Sequence, residues 1–504
     1  MRILGGADPI ANAPAEYRVA MRPDRVRTLA AGLLMVLAAS CASDPSGDPR
    51  SALDDPASTT PQQVQAVRSI AADLTAGRVE PADGREALKR IVWRRSAPTP
   101  VRVAALEALL DHDPDDTAVM LGLMLPTETN WDLIARIGDL ASERGWTALT
   151  PALVRSWARP VVEPADGDRP ERAALAALHP AEPIERVVFR VFAAPEESGV
   201  DDRTRSAAWA LLQRLDTDGS ITRRLLAAPA DGDEPAHGMI ADLRAGARDL
   251  GVVPRTAEQL NWLRRMRQPE HAGFWREASA LVARLDEPRA RGLALRHIPA
   301  LVWAGRHEPS WLTASREEHL AALRSALDGR RRHRRTDGVD DFNRDRETLD
   351  AWEDALAWGD LLLVRMADRA IADRGVAGAL FEQARRDRAD TTTEHGGVID
   401  EAGAGFLARP FPPRPTQRVG DNRFVASAEM LAASTQSLFH YHFHAQRRRN
   451  TEYAGPGRGD LAYADRFGRA CLVFTTVSDA ALNADVYFPG GARIDLGEIR
   501  RPSG

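Results

Sequence analysis

The chain of 504 residues is several times the usual domain length, so two or three folded units are expected rather than a single hydrophobic core. With 44% apolar and 28% charged residues it has the composition of a globular protein, and a net charge of -5 leaves no polyanion-binding footprint, which argues against a nucleic-acid partner. Positive charge is almost entirely arginine, so the cluster Arg330 to Arg335, followed by Asp337, Asp340, Asp341 and Asp345, reads as a solvated loop.

Residues 1–40 read as a targeting segment with its start at Met21. A charged stretch (MRPDRVRT) precedes the short apolar run LAAGLLMVLAAS, too short to span a bilayer permanently, and then Cys41. Leu37-Ala38-Ala39-Ser40-Cys41 resembles the lipobox of bacterial lipoproteins. That resemblance implies lipidation at Cys41, a membrane anchor, and a place in a bacterial cell envelope, facing periplasm or exterior. Beyond Cys41 only Cys471 remains, so neither an internal disulfide nor a thiolate zinc site can be built there, and any metal must use histidines and carboxylates.

Residues 41–60 are rich in Pro, Ser and Asp and suit a flexible tether. Over 61–250 apolar residues recur at helical spacing, as in Val101, Ala105, Leu106 and Leu109, and Pro- or Asp-bearing turns separate short amphipathic helices. The segment PTPVRVAALEALLDHDPDD resembles HEAT-type repeats, although no fixed period emerges; an irregular helical domain is the alternative. Such a region would offer a surface for a protein partner. A second helical block with a charged loop spans 251–346, with capping boxes expected at Thr256/Gln259 and Ser315/Glu318. Trp262, Trp275, Trp303 and Trp311 are read as core. A long helix is expected over 347–373, followed by ALFEQARRDRAD.

From about residue 395 the pattern turns to strands: GGVI, GFLARPF, NRFVASAE, SLFHYHFHAQ, CLVFTT, ADVYF and ARIDLGEI, with a turn at Pro489-Gly490-Gly491. The expected class is therefore an all-α N-terminal region followed by an α+β domain within 347–504. In FHYHFH, side-chain alternation puts Phe439, Tyr441 and Phe443 on one face and His440, His442 and His444 on the other. Imidazoles two residues apart on a strand have Cα atoms roughly 7 Å apart, close enough to converge on one ion.

Glu394 before GGVI, the strand FHYHFHA and the downstream GPGRGDL together resemble the JAB/JAMM (MPN) zinc metallopeptidases, over about residues 370 to 500. The resemblance implies Zn2+ held by His442, His444 and Asp460, with Glu394 as general base and His440 as a second-shell or alternative ligand. It also implies hydrolysis of a peptide or isopeptide bond in a peptide or protein substrate. Two departures stand out. Gly457 occupies the place of the family's oxyanion-stabilising serine, where a backbone N–H would have to substitute, and the loop after His444 is longer than usual. Other roles stay open: Glu394 as a helix-end carboxylate, Asp460 as a helix cap, Glu452 or Asp465 as ligand. The alternative to an enzyme is a binding lipoprotein with a helical scaffold and an inactive JAB/JAMM-like domain.

Overall fold

The computed structural model describes residues 51–161, 163–217, 219–227, 238–336 and 347–502. The lipobox-like segment with Cys41, and the tether up to residue 50, lie outside the described residues. No helix among those described is long and apolar enough to cross a membrane.

From Thr60–Thr75 to Gly238–Leu250 the described chain is helical, and its caps explain why the elements were legible. Prolines open the helices Pro81–Trp93, Pro114–Met124 and Pro170–Leu178, where a missing N–H costs nothing. Asn130 and Asp201 accept the backbone N–H of Leu133 and Thr204 at 3.0 and 2.7 Å. Ser315 and Glu318 form the expected capping box. At Thr256 the box is only half made, because the Gln259 carboxamide accepts from Arg255 N–H instead. Trp262, Trp275, Trp303 and Trp311 are buried, as their leucine-rich surroundings predict.

The long helix expected over 347–373 is broken. A turn at Leu349–Trp352 and a single 3-10 turn at Glu353–Ala355 precede Trp358–Ala372. Asp360 accepts Ala357 N–H at 3.1 Å and starts a new helix there, a local bond that competes with continuing the old one. The same carboxylate also receives Arg296 Nε and His297 Nε2, each at 2.9 Å.

A second buried histidine makes this region acid-sensitive. His319 is fully buried; its Nε2–H donates to the Trp311 carbonyl at 3.1 Å and its Nδ1 accepts from Arg365 Nη1 at 3.0 Å. Both nitrogens are thus satisfied only in the neutral ring. Burial, and then the Arg365 charge, push its pKa from 6.5 down to about 4. A depressed folded pKa contributes stability that is present above the unfolded value and lost as pH falls through the folded one. We expect unfolding free energy to drop by roughly 3 kcal/mol between about pH 6.5 and 4, and His319→Gln to flatten that slope in urea titrations at stepped pH.

The C-terminal sheet has six strands: β1 (Gly396–Ala402), β2 (Gly405–Pro410), β3 (Phe439–His444), β4 (Cys471–Ser478), β5 (Ala481–Tyr487) and β6 (Arg493–Arg500). Their order is β2-β1-β3-β4-β5-β6, antiparallel throughout except for β3 beside β4. That parallel pair needs a crossover, which the helix Arg458–Phe467 supplies. The turn between β5 and β6 forms at Pro489-Gly490-Gly491, with φ of 85° and 83° at the glycines, a conformation open to them without strain. NRFVASAE, expected as a strand, is not one; Ser427 instead caps the short helix Ala428–Ala433. Phe424 folds over the sheet, with its ring 5.6 Å from and nearly parallel to that of His442.

One face of the sheet packs on the helices Trp358–Ala372 and Arg374–Ala389, and a continuous apolar core runs from Val67 in the first helices to Ile499 in β6. The helical region and the sheet therefore share one core, against the expectation of separate ones from chain length, because aromatic side chains of the helices pack directly on the strands, as where Trp303 stacks on Phe406 of β2 at 4.9 Å. Trp262 Nε1 also donates to the Thr435 carbonyl at 2.9 Å, and Arg469 stacks over its ring.

Candidate metal centre

The strand β3 is buried on both sides. Phe439, Tyr441 and Phe443 enter the main core, while the three histidines face the helix Arg458–Phe467, as alternation predicts. Two of the histidines converge. His442 Nε2 and His444 Nε2 lie 3.4 Å apart, and Asp460, in the first turn of that helix, places Oδ1 3.1 Å from the former and Oδ2 3.5 Å from the latter. A tetrahedral ion with bonds of about 2.0–2.1 Å separates its ligands by about 3.3 Å, close to the spacing of the two ring nitrogens and of each from its nearer Asp460 oxygen.

The outer nitrogens fix which ring atoms face the centre. His444 Nδ1 donates to the Tyr453 carbonyl at 2.8 Å, which turns Nε2 inward; although burial opposes it, Asp460 and Glu394 push the ring's pKa up to about 9, so a metal ion would take the place of the Nε2 proton. His442 Nδ1 faces Tyr487 Oη at 3.5 Å. His440 takes another course. Its Nδ1 pairs with Tyr463 Oη at 2.8 Å, and it stands outside the cluster that can hold a metal.

Glu394 sits just before β1 and brings a carboxylate oxygen within 4.8 Å of a ring nitrogen of His442 and of His444, so that the three form a buried group able to hold a metal ion. That group does not include Asp460, whose oxygens nonetheless lie 3.1 and 3.5 Å from the imidazole nitrogens, so two carboxylates face the histidine pair. Gln446 Nε2 donates to Glu394 Oε1 at 3.0 Å and to the Asp421 carbonyl at 2.6 Å.

Electrostatics separate the two carboxylates. Burial raises the pKa of Glu394 above the ordinary range, against the pull of His444 and His442. Asp460, although burial opposes its charge, is held well below that range by the two histidines. Its place at a helix N-terminus favours the anion as well. Behind Glu394, the fully buried Asp387 accepts His395 N–H, and burial pushes its carboxyl up to about 8, so at neutral pH it adds little negative charge beside Glu394.

Backbone packing explains the glycines that open β1. A Cβ at Gly397 would meet the Arg409 carbonyl at 2.2 Å and the Tyr441 hydroxyl at 2.6 Å. One at Gly396 would lie 2.4 Å from both the Tyr441 carbonyl and the Phe424 ring, which covers His442. The pair lets β1 press against β3 while Glu394 reaches the histidines.

Each sequence candidate can now be placed. His442, His444, Asp460 and Glu394 come together. Glu452 pairs with Arg447 at 2.7 Å, and Asp465 accepts Gly490 N–H at 2.7 Å; each is engaged elsewhere. Asp460 does cap its helix, accepting Gly457 N–H at 2.6 Å, and faces the imidazoles as well. The Gly457 N–H is therefore already engaged and does not point at the centre as a substitute for a serine hydroxyl. Sequence reasoning missed Gln446, Tyr453, Phe424 and Asp387. For Gln446 a signal existed, since the alternation that groups the histidines continues to it.

No protein-family model, curated protein or solved structure matches this chain.

Proposed function

We propose that the protein is a zinc-dependent amide hydrolase of JAB/JAMM type, anchored in a bacterial envelope by a lipid on Cys41, whose helical region binds peptide or protein substrates or partners. The observation that carries this reading is the convergence of His442 Nε2, His444 Nε2 and the Asp460 carboxylate at ligand spacing, with a buried high-pKa glutamate beside them. Two imidazoles and one carboxylate are a donor set suited to zinc, and three protein ligands leave a position open.

Bound zinc would polarise the amide carbonyl and lower the pKa of its water toward about 7. The residues supply the rest. Glu394, kept partly basic by burial, takes a proton from the attacking water, and the same carboxyl returns it to the leaving nitrogen. Gln446 holds the Glu394 carboxylate by one oxygen, leaving the other for the proton. Phe424 and β1 screen His442 from bulk water, while Asp460, whose side chain keeps 17% of its surface accessible, lies toward the mouth.

The engagement of Gly457 N–H by Asp460 favours a second reading, a binding lipoprotein that holds zinc without turnover. Elemental analysis tests what both readings share. The purified protein is expected to carry about one zinc per chain, and the His442→Ala, His444→Ala double variant almost none. Equal, negligible zinc in both after supplementation would sink both readings. Hydrolysis of a peptide library then separates the first from the second.

A further inference from the structure

We propose that Arg335 is the anion-stabilising group of this centre, its guanidinium meeting the oxygen that turns negative when the amide carbonyl is attacked; the inference rests on the hydrolase reading above. In that step the water oxygen bonds to the carbonyl carbon, the π pair moves onto the carbonyl oxygen and the water proton goes to Glu394. When the pair returns, the C–N bond breaks and the nitrogen takes the proton from Glu394, giving a carboxylic acid and an amine, which exchange the remaining water proton to become carboxylate and ammonium. The developing charge needs a preorganised donor. The Gly457 N–H is occupied by Asp460.

Arg335 comes from the segment that sequence pattern assigned to a solvated loop. The segment is a loop with Arg331, Arg332 and Arg334 exposed, and it also runs along β6 and onto the metal-site loop: Glu498 N–H donates to the Arg331 carbonyl at 2.8 Å, and Thr336 N–H to the Glu452 carbonyl at 2.9 Å. His333 Nε2 meets Glu498 at 2.7 Å. The result is that Arg335 lies over Gly457. A Cβ there would be 3.2 Å from Arg335 Nη1, 3.7 Å from Nη2 and 3.5 Å from Asp460 Oδ2. The cation and the ligand carboxylate thus flank one point, and only a glycine leaves it empty.

Two features hold the guanidinium in place. Its carbon stands 5.9 Å from the centre of the Tyr453 ring, the residue whose carbonyl orients His444. Glu347, whose carboxylate lies against Gly455, supplies a facing negative charge. Arg335 Nη1 is shielded from solvent, so a bond from it to an oxyanion would form in a weakly screened setting. A planar fork of donors suits the oxygens of a tetrahedral adduct better than an ammonium does.

The test uses the full chain loaded with cobalt(II), whose visible absorption reports ligands at the open position, titrated with inorganic phosphate as a tetrahedral anion. Arg335→Met is expected to take up cobalt like the unaltered protein but to need at least about tenfold more phosphate for the spectral change. Arg335→Lys should fall between them, which keeps the test decisive if the methionine variant does not fold. Full cobalt loading with unchanged phosphate affinity in both variants would overturn the role of Arg335 and leave the hydrolase reading standing. Loss of cobalt from both would make Arg335 a structural partner of Glu347, and overturn the proposal as well. No cobalt spectrum in the unaltered protein would overturn the hydrolase reading, and this inference with it.

Discussion

Glu394→Gln is expected to keep about one zinc per chain and to lower the rate of amide hydrolysis by about 10²–10⁴, the usual contribution of a positioned general base. The argument is geometric first. Asp460 holds its oxygens at 3.1 and 3.5 Å from the two imidazole nitrogens, so under the proposed assignment it serves as the third ligand and Glu394 as the base. Glutamine keeps the shape of the side chain and can still accept from Gln446 through its carbonyl oxygen, but it cannot take a proton from water. Single-turnover kinetics alongside elemental analysis checks both halves. A parallel loss of zinc and activity would mean that Glu394 is itself a ligand, in keeping with the buried group it forms with His442 and His444, and would reassign the base.

The second large effect is on stability. Trp303→Ala should cost about 3–5 kcal/mol, the range for truncating a buried aromatic side chain. Trp303 is fully buried in the helix His297–His307, packs against Trp311 at 5.8 Å and stacks on Phe406 of β2 at 4.9 Å. Its loss opens a void between the helical region and the strand that pairs with β1, just after Glu394. Urea unfolding followed by tryptophan fluorescence and by far-UV circular dichroism should show both transitions moving to lower denaturant. Trp93→Ala, at a position 42% exposed, is the control and should change stability by less than about 0.5 kcal/mol. If the Trp303 variant behaved like this control, the shared core would not be holding the two regions together.

Much of the organisation could be read in one dimension because its causes are local. Helices over 61–250 announce themselves through apolar spacing and through caps such as Asn130 and Asp201, whose bonds span three residues. The sheet showed in the strand pattern, and the faces of β3 followed from alternation alone, so His442 and His444 were paired before any fold was known. Where local signals competed, the reading failed: Asp360 restarts a helix that periodicity would have continued, and NRFVASAE has strand composition but lends Phe424 to cover His442.

The remainder was decided by contacts between distant segments, which no spacing encodes. Asp460 reaches the imidazoles only because the parallel β3–β4 pair forces a helical crossover whose first turn stands over them. Residue pattern marked Arg330 to Arg335 as solvated, since charge density is what a single sequence displays. That held for Arg331, Arg332 and Arg334, which are exposed, while backbone bonds to Glu498 and Glu452 carry Arg335 to Gly457. Side-chain type and periodicity determined which residues could bind a metal, while long-range backbone pairing decided which of them meet and which cation stands beside them.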